Sequence, residues 1–310
     1  MMEKNKNLLV LVDGSARSLL TVDYVGKLEA FSDMRIVLFN VFSGVPECFW
    51  DLKHETIGSG TARQMQLWED QRKRDINAYM DRARQHLINS GIPGASIETV
   101  IHNLQKGVAR DILKAAESGY TAVVCRRREK DGLEGVAVGS VANKLIAKID
   151  SLPVLVAGRQ PQTNKVLLAV DGSASSVQAV DFVAEHMGGR GYKAGLFHVI
   201  RGFPGLNANP KELEMASEWG LAAEAEMQKT FEVLTDRLLD AGFSSGSVTH
   251  KIISGVHSRA EAIVQEAQSG GYGIIVVGRR GLSRVSEFFM GRVSTKVVQA
   301  GRNFSVWIIP

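Results

Sequence analysis

Cysteine is nearly missing from this chain. Cys48 and Cys125 are the two in 310 residues, and they stand far apart in sequence. Such a pair builds no disulfide framework and points to a reducing compartment. No apolar run approaches the roughly 20 residues that a membrane-spanning helix needs. The opening stretch MMEKNKNLLVLVDGS carries lysines and a short apolar run, but Asp13 interrupts that run and no small-residue cleavage site follows. A mature cytoplasmic start is therefore expected rather than a signal peptide. Charge of one sign does not dominate: 37 Lys and Arg stand against 33 Asp and Glu, spread along the chain, which argues against generic nucleic-acid binding. Catalytic signatures are sparse as well. There is no Gly-x-x-x-x-Gly-Lys-Ser/Thr loop, hence no P-loop lysine or magnesium-binding hydroxyl. No Gly-x-Gly-x-x-Gly follows the first apolar run of either half, so the dehydrogenase pattern fails. Zinc-ligand spacing and an evident nucleophile–base pair are lacking too. The apolar share of 45% and charged share of 23% are ordinary for a globular chain, here about twice the usual domain length.

What is present is a repeat. Leu9-Val10-Leu11-Val12-Asp13-Gly14-Ser15-Ala16 returns as Leu167-Leu168-Ala169-Val170-Asp171-Gly172-Ser173-Ala174, and Leu38-Phe39-Asn40-Val41 returns at the same offset as Leu196-Phe197-His198-Val199. Trp68, Ile76, Met80 and Leu87 match Trp219, Met227, Phe231 and Leu238 at a slightly shorter offset, and Pro153-Val154-Leu155-Val156 matches Ser305-Val306-Trp307-Ile308. Ordered matches over the whole length mean a duplication, with units at 1–158 and 159–310. The polar stretch at 159–164 reads as the linker.

Each half reads the same way. Apolar strands are expected at 8–12 and 166–170, unbroken because both faces of a parallel sheet are covered. Asp-Gly-Ser ends each one, and helices follow at 16–31 and 174–187. Second strands are placed at 36–41 and 194–200. Long connections follow, holding Pro46 and Trp50, or Pro204 and Pro210. Long amphipathic helices come next, at 61–89 and 213–240. Met227, Phe231, Leu234 and Leu238 form one buried stripe there, and Gly91 and Gly242 are natural stops. Third strands (97–101, 248–253), helices (108–117, 259–268), fourth strands (122–124, 274–277), a loop and helix, and fifth strands (154–156, 305–309) complete each unit. This βαβαβαβαβ order, twice, predicts two tandem doubly wound, Rossmann-like α/β domains, each a five-stranded parallel sheet with helices on both faces. Trp68 and Trp219 are expected to pack their helices onto the sheet or onto the other unit.

Ligands of such sheets bind beyond the carboxyl ends of the strands, where strand order reverses. Residues 276–294, VVGRRGLSRVSEFFMGRVS, fit that role. An apolar run stops at Gly278, Gly281 and Gly291 follow, and a helical pattern begins at Val293. Glycines admit an anion close to the backbone, and a helix N-terminus presents unpaired N–H groups and the positive end of a dipole. Arg279, Arg280, Arg284 and Arg292 add charge. A charge run is usually a solvated face, but arginines follow the fourth strand in both halves, at 126–128 and 279–280, which suits a phosphate or interdomain role. Read blandly, these glycines only make turns. Asp171 and Gly278 share one crevice if the first and fourth strands are neighbours.

At these residues the chain resembles the universal stress protein family, over essentially its full length. The marks are the strand ending in Asp-Gly-Ser, the Phe197-His198-Val199 pattern, and Gly278, Gly281 and Gly291 at the family's spacing of two and nine intervening residues. The resemblance implies a cytoplasmic stress-response regulator that binds an adenine nucleotide, ATP-like and possibly with magnesium, mainly in the second unit. It implies at most slow ATP hydrolysis or autophosphorylation. It also implies that Asp171 and Gly172, and Asp13 in the first unit, contact the base or ribose side. Val199 and Val41 would offer backbone groups to adenine. Gly278, Arg279, Gly281, Gly291, Arg292, Val293 and Ser294 would hold phosphate. Both aspartates equally suit plain turn or N-cap chemistry, and both valines plain core packing.

Two departures stand out. After Gly291 the family has a hydroxyl residue; here Arg292 stands. It can hold phosphate as a bidentate donor, pair with a carboxylate such as Glu287, or block the pocket. In the first unit the fourth strand ends Cys125-Arg126-Arg127-Arg128 and the first two glycines are lost, while Gly139, Ser140 and Val141 keep the end of the motif. That unit is expected to be degenerate. The competing reading is a nucleotide-free tandem scaffold of the same family. The two units are expected to form an internal pseudo-dimer in which the fifth strands pair, with further homodimerisation open. His198 reads as a packed polar residue and Cys125 as a core-edge residue.

Overall fold

The structure, a computed structural model, describes residues 6–44, 59–127, 139–159, 163–201, 210–281 and 290–310. Pro46, Cys48, Trp50, Arg128, Pro204, Arg284 and Glu287, singled out above, lie outside the described residues, as does the middle of the linker. The chain divides into two compact units, Met1–Cys125 and Arg126–Pro310.

The first unit runs β1 (Asn7–Leu11), α1 (Ala16–Gly26), β2 (Arg35–Phe42), α2 (Ser59–Asn89), β3 (Ile97–Asn103), α3 (Val108–Ala116) and β4 (Ala122–Arg126). Its strands lie in the order β3-β2-β1-β4, all parallel. Leu9 stands in register with Val37 on one side and Val123 on the other. Leu8, Leu9, Val10, Ile36, Leu38, Val123 and Val124 are buried. Each such side chain contributes about 1.5–3 kcal/mol by leaving water, which is why the strands carry unbroken apolar runs. α1 is shorter than the predicted 16–31 helix. It ends at Gly26, and Glu29–Phe31 forms a separate 3-10 turn. Glycine is the weakest non-proline helix former.

The second unit holds α4 (Ser140–Lys148), β5 (Val154–Ala157), β6 (Lys165–Ala169), α5 (Ala174–Met187), β7 (Lys193–Arg201), α6 (Pro210–Asp240), β8 (Val248–Val256), α7 (Arg259–Ser269), β9 (Ile274–Gly278), α8 (Arg292–Ala300) and β10 (Ser305–Ile309). The order is β5-β10-β9-β6-β7-β8. Five strands are parallel, and β5 joins antiparallel, with Leu155 opposite Trp307 and Val154 opposite Ile308. The expected pairing of the two fifth strands is thus present. Trp307, fully buried, meets Phe182 edge-on at 5.9 Å. Because β5 pairs there, compactness groups α4 and β5 with the second repeat, although the sequence repeat ends at 158.

α6 buries the predicted stripe of Met227, Phe231, Leu234 and Leu238, and α2 buries a similar one, Ile76, Met80, Ala83 and Leu87. The tryptophans overturn their expectation. Trp68 is 37% exposed, with the Arg72 guanidinium 5.5 Å from its ring centroid, and Trp219 is 57% exposed. Each helix has 31 residues and runs about 46 Å. The eight-residue β2 spans only about 26 Å. Helices this much longer than the strands they cover cannot bury their whole length against the sheet, and both tryptophans fall in the N-terminal third.

Candidate functional site

β6 and β9 are neighbours, so strand order reverses between them, and a cleft of about 1180 Å3 opens at their carboxyl ends. Its floor begins where β6 stops. The Asp171 Oδ1 accepts the Ser173 amide at 3.0 Å, and Ser173 caps α5 by accepting the Ser176 amide at 3.3 Å. The Ser173 hydroxyl donates to the Arg280 carbonyl at 3.1 Å, tying the aspartate turn to the glycine loop.

The glycines are needed for space. A Cβ at Gly281 would lie 2.5 Å from the Asp171 Oδ2, and one at Gly278 would lie 2.8 Å from the Ser175 carbonyl carbon and the Ser176 nitrogen. The loop is closed by the Gly291 amide donating to the Arg279 carbonyl at 2.9 Å. The Ser294 hydroxyl donates to the Gly278 carbonyl at 2.7 Å and locks α8 to β9. Gly291 caps α8 without a side chain. The first amides of α8 therefore have no intrahelical partner and stand at the positive end of its dipole.

The lining is cationic. Arg201, Arg259, Arg280, Arg292 and Lys296 border the cleft, and among the described residues lining it Asp171 is the one carboxylate. His198 is part of the wall. Its Nδ1 meets the Val170 carbonyl at 2.6 Å. Burial pushes its pKa below the usual 6.5, against the raising effect of the Val170 hydrogen bond. The neutral imidazole donates to that carbonyl and keeps Nε2 as an acceptor. The Val199 carbonyl accepts from the Arg259 Nε at 3.2 Å. A carbonyl has a second lone pair for a further donor.

Of the residues read from sequence, Asp171, Val199, Gly278, Gly281, Gly291, Arg292, Val293 and Ser294 come together around this one cleft. Arg292 is exposed and makes no ion pair among the described residues. Gly172 is not among the lining residues; it holds a turn at φ 79°, a backbone that glycine tolerates. Arg279 is a correction. It is 4% exposed, lies outside the cleft lining, and gives its guanidinium to the carbonyls of Ile146, Ala147 and Ile149. Successive residues at a strand end point to opposite faces, so Arg280 borders the cleft while Arg279 turns away.

In the first repeat, Asp13 accepts the Ser15 amide at 3.0 Å and the Ser15 hydroxyl at 2.6 Å. Partial burial raises its pKa, but the hydrogen bonds from Ser15 and Ser18 outweigh that and hold it below the usual value. Val41 lies in β2 opposite His102. Gly139 is the N-cap of α4, with Ser140 and Val141 in its first turn.

Sequence reading missed Arg201, His257, Arg259 and Lys296 as lining residues. Arg201 and His257 lie at the ends of β7 and β8, and Arg259 starts α7, so the carboxyl-end rule applied to every strand would have found three of the four. Lys296 follows from Arg292 by one helical turn.

Comparison with known proteins fits this geometry. A universal stress protein from Archaeoglobus fulgidus is similar over 99% of both chains, with a TM-score of 0.66 and 18% identity. A functionally unknown protein from Pseudomonas aeruginosa matches 98% of this chain and 92% of its own, with a TM-score of 0.58 and 15% identity. These likenesses establish the fold. No curated protein sequence matches. The model of the universal stress protein family matches twice, at residues 4–158 and 162–310, and with both halves of the chain so matched, the chain belongs to that family as a tandem two-domain member.

Proposed function

We propose that this chain is a stress-response regulator that binds an adenine nucleotide, ATP or a close relative, in the cleft of its second unit, and that it works in the cytoplasm. The observation that carries this reading is the convergence on one cleft of Asp171, Gly278 and Gly281 with no room for a Cβ, Gly291, the N-terminus of α8 and five cationic side chains. The fit is one of charge and space. Triphosphate would lie against Gly278, Gly281 and Gly291, with Arg280, Arg292 and Lys296 balancing its charge. Adenine would lie toward Val199 and His198. Asp171, beside Gly281, would accept from the sugar. Any magnesium would come with the phosphates, which commonly supply most of its protein-independent ligands. The features that converge here are those of a binding site, so binding rather than rapid turnover is the assigned role.

The test is direct. Nucleotide extracted from the purified protein and identified by mass spectrometry should be adenine-based, and calorimetry should give one ATP site per chain that is much tighter than any other. Recovery of no nucleotide, together with no heat on ATP titration, would sink the reading in favour of the tandem scaffold. Arg292, standing where relatives carry a hydroxyl, is the feature that favours that second reading.

A further inference from the structure

The arginines that follow the two fourth strands have exchanged partners. Arg279, directly after β9, donates to the carbonyls of Ile146 at 2.8 Å, Ala147 at 3.0 Å, and Ile149, at the C-terminal end of α4. Arg127, its counterpart in the first repeat, donates to the carbonyls of Val298 and, at 3.3 Å, Gly301, at the C-terminal end of α8. Both are buried, at 5% exposure for Arg127 and 4% for Arg279. The acceptors correspond under the repeat: Val298 is the counterpart of Ile146, and Gly301 of Ile149. Each guanidinium satisfies carbonyls that a helix end leaves open, and each sets positive charge at the negative end of a helix dipole.

The helices so gripped are the ones that begin at the surviving glycine motifs. α8 has nine residues and is about 13 Å long. Arg292, Val293 and Ser294 line the cleft at its start, and Arg127 holds its end. α4 starts with Gly139 as its N-cap, and Arg279 holds its end. The backbone of Arg279 is fixed on both sides as well. Its amide donates to the Ile309 carbonyl at 2.6 Å, and its carbonyl accepts the Gly291 amide at 2.9 Å. The residue that closes the glycine loop therefore also anchors α4.

We propose that Arg127 is a remote positioning residue for the cleft, and that Arg279 couples the glycine loop to α4. The inference rests on the nucleotide reading of the cleft. Arg127 fixes α8 along its axis and so sets where the first amides of that helix stand. A ligand bound at those amides must in turn favour the clasped arrangement by the same factor, because coupling of binding free energies is reciprocal. Arg127 itself is not among the residues lining the cleft, so its effect on binding is indirect, and α8 is the element it holds.

The experiment combines ATP calorimetry with hydrogen exchange on the full chain. Arg127→Met is expected to lower ATP affinity about three- to tenfold while the circular dichroism spectrum stays native. Arg127→Lys should recover part of that loss, since an ammonium still supplies charge and donors but lacks the planar fork. In the wild type, ATP should slow amide exchange through α4 as well as α8, and Arg279→Met should abolish the effect on α4 alone. A folded Arg127→Met protein with unchanged affinity overturns the proposal. If that variant does not fold, absence of ATP-dependent protection in α4 of the wild type overturns it equally. A wild type that takes up no ATP in the same titration removes the nucleotide reading first, and this inference with it.

Discussion

The two repeats have each lost a different part of one motif. The second keeps Gly278 and Gly281 but has Arg292 where a hydroxyl belongs; the first keeps Ser140 at that place but has Arg126 and Glu129 at the positions of those two glycines. The aspartate turns diverge in parallel. In the first repeat the Ser15 hydroxyl folds back onto Asp13, and Ser18 meets the Tyr79 hydroxyl at 2.5 Å. In the second, the Ser173 hydroxyl reaches the Arg280 carbonyl, and Ser176 lines the cleft. Asp13 takes both serine bonds on Oδ1 within its own turn, whereas the Oδ2 of Asp171 lies beside Gly281, a glycine that the first repeat lacks at that position. A duplicated sequence can hold one backbone turn while the hydroxyl beside it is redirected from self-satisfaction to a loop that builds a site.

That contrast can be broken most forcefully at Gly281. Gly281→Val drives a side chain into the Asp171 carboxylate, and ATP affinity measured by calorimetry should fall about 100-fold, the equivalent of roughly 2.7 kcal/mol. Retained binding would show that the ligand does not use this turn. Next in size is Arg292→Ser, which gives the second repeat the residue of the first. Affinity should drop about tenfold and depend less steeply on salt, as expected on losing one charge-assisted contact to phosphate. A gain of affinity would instead identify Arg292 as a plug and favour the scaffold.

The smaller effects concern stability. Tyr79→Phe removes the hydroxyl partner of Ser18, which exists in the first repeat only, since Thr230 is the counterpart of Tyr79. Denaturant unfolding should show a loss of about 1 kcal/mol, and ATP binding should not change. The phenol is raised to about 12, chiefly by burial, so it stays protonated and this loss should not vary with pH near neutrality. His198→Asn copies Asn40, whose side-chain amide donates to the Val12 carbonyl at 2.8 Å in the equivalent place. The folded pKa of His198 is depressed below 6.5 by burial. As pH falls below that value the unfolded chain takes up the proton first, so the stability present above it is lost as pH approaches the folded pKa. Thermal unfolding of His198→Asn across this range should show a shallower decline than the wild type. An identical slope would mean that the histidine does not titrate with unfolding.

Much of this was legible in the chain itself. The predicted α5 and β10 match in full, and the glycine spacing found the lip of the cleft. Boundaries slipped where local signals were weak, as at Gly26. The site was less complete. Arg201, His257 and Arg259 lie in sequence far from the glycine motif, and only the parallel sheet brings the ends of β7 and β8 beside it. For Arg279 the sequence left phosphate and interdomain roles open, because a charged residue next to a phosphate-like loop looks the same in sequence whether it points into the cleft or away from it.

The sequence by itself determined what local physics specifies: apolar runs that become covered strands, stripes that become buried helix faces, and glycines where a Cβ has no room. Only the tertiary structure decided which partner each arginine meets. The acceptors of Arg127 and Arg279 are backbone carbonyls at helix ends, and every residue carries a carbonyl, so no side-chain pattern marks them. They become acceptors only after a helix has ended at that point and packing has brought it against the end of a distant strand.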